Sequence, residues 1–333
     1  MESFRLTKGE GRLSKSYADC MNEISADELY EGLLAHGLFS EKLPPFLSAQ
    51  SFFDYCQGQN VCFSDKWRQY VYFESMRNIN LPRPLGIPNP MAYQSLCRGL
   101  ADNWDKIQKH FADQTKNQGY KLSRIHIRKM SKSKALFKMN YDDWRVDGNP
   151  EIDLPIGKHY LVKADISTCF PSIYTHSIAW ALVGKDNAKS NSGRKFKSKW
   201  YNKIDHCAQN IKNGETHGLI IGPHASNLIS EIILTSIDNQ LYHKEWRYTR
   251  NIDDYAAYVR TYEDGQQFLI DLAEELRNFD LSLNHKKTKI MKLPIASAEQ
   301  WVRRINHNLI SLRRRNGKID FIGARAIWIL QLN

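Results

Sequence analysis

The stretch WRYTRNIDDYAAYV, residues 246–259, decides how this chain is read. Aromatic and β-branched residues flank Asn251, Ile252, Asp253 and Asp254, so the stretch predicts strand, tight turn, strand. Upstream, GPHASNLISEIILTSIDNQL (222–241) places Leu228, Ile229, Ile232, Ile233, Ile237 and Leu241 on one helical face. Further back, HYLVKADIS (159–167) is a short apolar run that predicts a buried strand ending at Asp165, and Thr175 is the expected cap of a short helix after it. Downstream, GQQFLIDLAEELRNF (265–279) has Phe268, Leu269, Leu272, Leu276 and Phe279 at helical spacing, and LSLNHKKTKI (281–290) closes with a strand. The order is β-α-β-β-α-β, the ferredoxin-like pattern.

That topology brings Asp165 beside the Asp253–Asp254 turn, although they are distant in sequence. Three carboxylates so close cannot all stay ionised without a cation. A few hard oxygen ligands with open positions suit Mg²⁺ shared with substrate phosphates. Two such ions, with Mn²⁺ able to substitute, can clamp both oxygens of a phosphoryl transfer.

The 333-residue chain carries 47 Lys and Arg against 36 Asp and Glu, a net charge of +11. Such an excess suggests a polyanionic partner. The charge is concentrated in three blocks. KLSRIHIRKMSKSKALFK (121–138) contains Arg128, Lys129, Lys132 and Lys134; residues 185–203 form a basic, Ser/Asn-rich loop; Arg303, Arg304, Arg313, Arg314 and Arg315 lie near the end. With Trp and Tyr interleaved, the blocks point to a nucleic-acid track. The six scattered cysteines form no C-x-x-C, which disfavours a disulfide scaffold or zinc module. No apolar run reaches the roughly 18 residues of a membrane span, and residues 1–20 read as no secretory signal. A cytoplasmic protein without a membrane partner is expected. Residues 27–55 read as helical with a break at Pro44 and Pro45; LPRPLGIPNP (81–90) must be extended or turning; residues 91–111 return to helical spacing.

At these residues the sequence resembles a reverse transcriptase. ADISTCFPSIYTH (164–176) looks like polymerase motif A, THGLIIGPHASNLISEI (216–232) like motif B, RNIDDY (250–255) like the Y-x-D-D box of motif C, and LSLNHKKTKI like motif D. RPLGIPNPMAYQSL (83–96) resembles a fingers segment of bacterial reverse transcriptases. ELYEGLLAHGLFSEKLPP (28–45), FPSIYTHSIAWALVGK (170–185) and ETHGLIIG (215–222) resemble, more narrowly, the abortive-infection (Abi) and defence-associated reverse transcriptases of bacteria. Members of that group protect cells against phage.

The resemblance implies an α+β, right-hand polymerase fold. It divides into an N-terminal helical extension (1–80), helical fingers (81–158), a palm (159–291, with the 185–203 insertion) and a short or truncated thumb or start of a helical domain (292–333). The chain ends on the apolar run AIWILQLN, so a longer natural chain is expected. Asp165, Asp253 and Asp254 would hold the metals, with the Ile166 carbonyl as a further ligand. Lys287 would be the motif D lysine that protonates leaving pyrophosphate. Phe170, five residues after Asp165, would be the steric gate against a ribose 2′-OH, and Gly222, Arg128, Lys129, Lys132 and Lys134 would contact the dNTP. The arginines at 303, 304 and 313–315 would contact nucleic acid. His217 and His224 would have structural roles.

Two departures from the pattern stand out. Asn251 replaces the aromatic of Y-x-D-D, and Ile220-Ile221 replace the Pro-Gln expected before the motif B glycine, so template reading would be unusual. The implied function is an RNA-directed or template-independent DNA polymerase in antiphage defence. Its partners would be an RNA template or noncoding RNA, dNTPs, a DNA product and, as in some relatives, further copies of itself. The alternatives are a ribonucleotide polymerase on the same palm and a catalytically silent RNA-binding scaffold.

Overall fold

The computed structural model describes residues 15–39, 43–44, 46–78, 81–124, 126–129, 136–138, 148 and 150–293. Contacts divide the chain into a unit of Met1–Met291 and a second of Lys292–Asn333; the architecture below is that of the first. The expected thumb and the arginines at 303, 304, 313, 314 and 315 lie outside the described residues, as do Lys132 and Lys134.

The N-terminal part is helical. Helices α1 (Tyr17–Asn22) and α2 (Ala26–Gly37) each begin at a serine, Ser16 and Ser25, in a reciprocal capping box with the acid three residues on. Helix α3 (Gln50–Gly58) follows the proline break. Strands β1 (Val71–Asn78) and β2 (Leu81–Ile87) then pair antiparallel, so of the two conformations open to the proline-rich segment, residues 81–87 take the extended one. Helical spacing over 91–111 resolves into two helices, α4 (Pro90–Ala101) and α5 (Trp104–Gln114), broken at Asp102 and Asn103. Two short strands, β3 (His126–Ile127) and β4 (Phe137–Lys138), and helix α6 (Pro150–Asp153) lead into the second half.

There the chain runs β5 (Tyr160–Asp165), α7 (Cys169–Ser172), α8 (Ser177–Val183), α9 (Lys185–Ser190), a 3-10 turn (Arg194–Phe196), α10 (Trp200–Asn210) and α11 (His224–His243). Next come the hairpin β6 (Tyr248–Asn251) and β7 (Asp254–Val259), then α12 (Tyr262–Asn278) and β8 (Lys289–Lys292). The sheet order β6-β7-β5-β8 is the one the β-α-β-β-α-β reading requires.

Four details correct the sequence reading. The 185–203 insertion is not a loop: it carries α9, the 3-10 turn and the start of α10. Thr175 does not cap a helix; α8 follows His176 without a side-chain cap, and the Thr175 hydroxyl instead accepts from Gln209 Nε2 at 3.2 Å. The closing strand begins only at Lys289, because the Asn284 carbonyl captures the amides of Lys287 and Thr288 in a turn. Finally, α11 is buried on nearly every side rather than along one stripe. It packs against α2, α5, α8 and α12, and the hydroxyls of Ser230, Thr235 and Ser236 bond back to its own carbonyls, as Thr235 does to Glu231. Each Leu or Ile it buries contributes roughly 1.5–3 kcal/mol.

The outward edge of β6 is covered. Tyr120 Oη accepts from the Tyr248 amide and donates to its carbonyl (3.0 and 2.9 Å), while Arg250 bonds Leu122 and Arg124 through the backbone, both at 2.8 Å.

Candidate active site

The register of β5 and β7 pairs Asp165 directly with Asp254. The Ile166 amide donates to the Asp253 carbonyl at 3.1 Å, locking the end of β5 to the hairpin turn. So Asp165, Asp253 and Asp254 meet at one end of the sheet, as the topology predicts. Asp165 is buried, Asp253 half-buried and Asp254 exposed.

The turn that presents them is strained. Ile252 has φ +56, in the left-handed region that β-branched residues avoid. In a two-residue hairpin turn that position ordinarily takes glycine. Such a residue costs about 1–3 kcal/mol and persists only where its surroundings over-determine it. Here they do: Arg250 Nη1 donates to the Ile252 carbonyl at 2.9 Å.

Arg250 is itself fully buried. Its guanidinium reaches Asp238 Oδ2 (2.6 Å) and both Glu231 oxygens (3.1 and 3.2 Å), two helical turns apart on α11. Tyr17 Oη donates to Glu231 and Tyr248 Oη to Asp238, both at 2.9 Å. Every carboxylate oxygen of this cluster has a donor. Burial raises the Asp238 carboxyl, and the Arg250 charge opposes that rise.

The motif D turn holds Asp165. Asn284 donates from its amide side chain to Asp165 Oδ1 (2.9 Å) and from its backbone to the Asp165 carbonyl (2.7 Å). Lys287 Nζ reaches Asp165 Oδ2 at 2.7 Å. The hydrogen bond to Asp165 raises the Lys287 ammonium, which therefore stays charged.

One lysine does not neutralise three acids. Burial, then the charge of Asp165, raises the Asp253 carboxyl, and the Lys287 and Arg83 cations oppose this. Asp254 is pushed up to about 6, first by partial desolvation against the hairpin and then by the charges of Asp253 and Asp165. A crowded, under-neutralised carboxylate set is chemically fit for a hard divalent cation. Among the described residues no three His, Cys, Asp or Glu close into a ready-made cation cage. The Asp165 oxygens are turned to Asn284 and Lys287 instead.

The remaining expected site residues are distributed as follows. Phe170 lies on α7, just after the Thr168 turn (φ +43), and is buried in the main core. Its carbonyl accepts the Leu219 amide at 2.8 Å, fastening motif B to motif A. Gly218 is needed at that junction: its φ is +84, and a Cβ would stand 2.9 Å from the Pro171 carbonyl oxygen. Gly222 (φ +133) precedes α11. Arg128 is buried, and its amide bonds the Leu136 carbonyl at 2.9 Å. Lys129 pairs with Glu28 at 2.5 Å. His224 is buried, which pushes its imidazole down to about 4, in keeping with a structural role.

Asn284, Arg250, Glu231 and Asp238 were not singled out from the sequence. The signal for Asn284 was present, since it sits three residues before Lys287 in the motif D string. Glu231 and Asp238 also carried one, as two acids seven apart on a helix that has no lysine or arginine.

The family model described as reverse transcriptase (RNA-dependent DNA polymerase) matches residues 106–325. No curated protein matches the chain. Among solved structures, the chain is similar to apo telomerase from Candida tropicalis truncated from its C-terminal domain, at 12% identity and a TM-score of 0.42. The match covers 80% of this chain and 60% of that one. No helix among the described residues is long and apolar enough to cross a membrane.

Proposed function

The chain belongs to the reverse transcriptase (RNA-dependent DNA polymerase) family, and from that premise we propose that it joins deoxynucleotides at the Asp165–Asp253–Asp254 site. In the reaction a 3′-oxygen bonds to the α-phosphorus of a dNTP, the bond from that phosphorus to the bridging oxygen breaks, and pyrophosphate leaves. Residues 81–158 serve as fingers and 159–291 as palm.

The observation that carries this reading is the carboxylate crowding at the β5–β7 end, with Asp254 raised to about 6. Two Mg²⁺ ions, or Mn²⁺, held by Asp165, Asp253, Asp254 and the Ile166 carbonyl, would supply charge neutralisation for the carboxylates and the triphosphate. Asn284 orients Asp165. The Lys287 ammonium, kept protonated by Asp165, is the proton source for the departing pyrophosphate once it swings off that carboxylate. Phe170 supports the sugar and excludes a 2′-OH. Arg128, Lys129, Lys132, Lys134 and Gly222 contribute to the triphosphate site. The basic character of the chain supports an RNA template or noncoding RNA as partner. The Abi-like strings at 28–45, 170–185 and 215–222 support a place in antiphage defence.

The test is nucleotide incorporation with Mg²⁺. Asp253→Asn is expected to lose more than about a hundredfold, roughly 2.7 kcal/mol of transition-state stabilisation. Near wild-type synthesis by that variant would refute the assignment. Phe170→Ala should raise use of rNTPs relative to dNTPs while Phe170→Tyr should not. A wild-type preference for rNTPs would favour a ribonucleotide polymerase.

A further inference from the structure

A pocket lies outside the three-aspartate site. It is built by the helices of the 185–203 insertion packed on α8 and α10, and its volume is about 570 Å³. That is within the range of small-ligand sites. Its lining includes Tyr174, His176, Trp180, Lys189, Lys197 and Asp205.

Three features make this a constructed site rather than a surface dent. The aromatic wall is ordered: the Tyr174 ring meets His176 edge-on at 4.8 Å and Trp180 at 5.6 Å. The acid is buried and committed: Asp205 accepts from His176 Nδ1 at 2.5 Å and from Gln209 Nε2 at 2.8 Å. The rim is pinned: Asn202 Nδ2 donates to the carbonyls of Asn191 and Phe196, both at 2.9 Å, holding the insertion on α10.

The chemistry of the lining selects a ligand class. Lys185 Nζ stands 4.2 Å from the Trp180 ring centre, so one face of that indole is already occupied by a cation. Tyr174, with the His217 ring tilted against it at 5.4 Å, and Trp180 supply the aromatic wall for a planar group. Because the Asp205 charge is answered by His176 and Gln209, Lys189 and Lys197, both exposed, leave the pocket mouth net positive. Aromatic walls beside lysines fit a flat heterocycle carrying an anion. We propose that this pocket binds a nucleotide unit, base against the Tyr174–Trp180 wall and phosphate toward Lys189 and Lys197. The unit comes either as a free nucleotide or as one residue of a single strand. The proposal does not depend on the chemistry at Asp165, Asp253 and Asp254.

The experiment is photo-crosslinking of the full chain with two probes, 8-azido-ATP and a 4-thiouridine-containing single-stranded RNA, with adducts mapped by mass spectrometry. Adducts are expected in the peptides bearing Tyr174, Trp180 or His206, which also lines the pocket. They should drop by roughly tenfold, about the worth of stacking one base, in Trp180→Leu. Should Trp180→Leu fail to fold, Lys189→Glu/Lys197→Glu changes only exposed positions and is expected to reduce the adducts with melting temperature unchanged. Adducts from the azido nucleotide alone identify a free nucleotide, and adducts from the RNA alone identify a strand. No adduct at these peptides from either probe, or adducts undiminished in the charge-reversal variant, overturns the proposal. Asp253→Asn should leave the pocket adducts intact, which separates this site from the polymerase site.

Discussion

Two clusters of acids sit back to back across one hairpin, and they are treated oppositely. Behind the turn, Glu231 and Asp238 are sealed in the core with Arg250, and every carboxylate oxygen receives a donor. In front of it, Asp165, Asp253 and Asp254 share a single lysine that is more than half exposed. The first cluster is closed and holds the backbone. The second is left short of positive charge, and that deficit is what a substrate with bound cations can fill. Counting acids does not separate a structural cluster from a working one; the supply of donors does.

The largest effect tests the closed cluster. Arg250→Met strands two buried carboxylates and frees the Ile252 carbonyl, so unfolding in urea should show a loss of about 3–5 kcal/mol. A loss below about 1 kcal/mol would mean that the guanidinium is not what holds the turn.

Acid pulls the two regions in opposite directions. His110 Nε2 donates to the Ile232 carbonyl, beside Glu231 on α11, and burial pushes its imidazole down to about 4. Its folded value lies below the unfolded one of 6.5. The stability it contributes is therefore present above pH 6.5 and lost as pH falls toward 4, by about 3 kcal/mol. Asp254 has the reverse sign: raised to about 6, it favours the folded state as pH falls from about 6 toward its unfolded value of 3.8. Melting temperatures of wild type and His110→Gln between pH 7 and 4 should converge on the acid side. Parallel curves would remove His110 from the account.

The smallest effect concerns the open cluster. Mg²⁺ at a hundred times its dissociation constant should stabilise the wild type by about 2.7 kcal/mol at pH 7.5. Asp253→Asn should lose most of this, and Arg250-side substitutions that still fold should keep it. Equal Mg²⁺ stabilisation of Asp253→Asn would place the ion elsewhere.

Much of this was legible in the chain itself. The apolar run ending at Asp165 and the strand–turn–strand around residues 251–254, separated by helical patterns, give the β-α-β-β-α-β order, and that order brings the three aspartates together. Periodicity misjudged α11, because a helix enclosed by both sheet and helices buries polar positions too, and a stripe is then only part of its buried surface. Charge density misjudged residues 185–203 as loop, since lysine is a good helix former and Gly184 and Gly193 break the segment into short helices rather than unravel it. The Arg250 cluster was only half visible: Glu231 and Asp238 stand out as the acids of α11, but their cationic partner does not. Its members come from α11 and β6, and nothing local reports that a guanidinium and two carboxylates will be closed off from water together.

The covered edge of β6 has a consequence for the chain as a synthesis problem. A four-residue strand at the rim of a sheet is an adhesive surface, open to any other extended chain. Here the outward groups of Tyr248 and Arg250 are met by Tyr120, Leu122 and Arg124, residues made well before the sheet exists. The cover is therefore already made when β6 leaves the ribosome, so this rim of the sheet can be guarded as soon as the strand forms. A fragment beginning after residue 124 would lack that guard and should self-associate through β6.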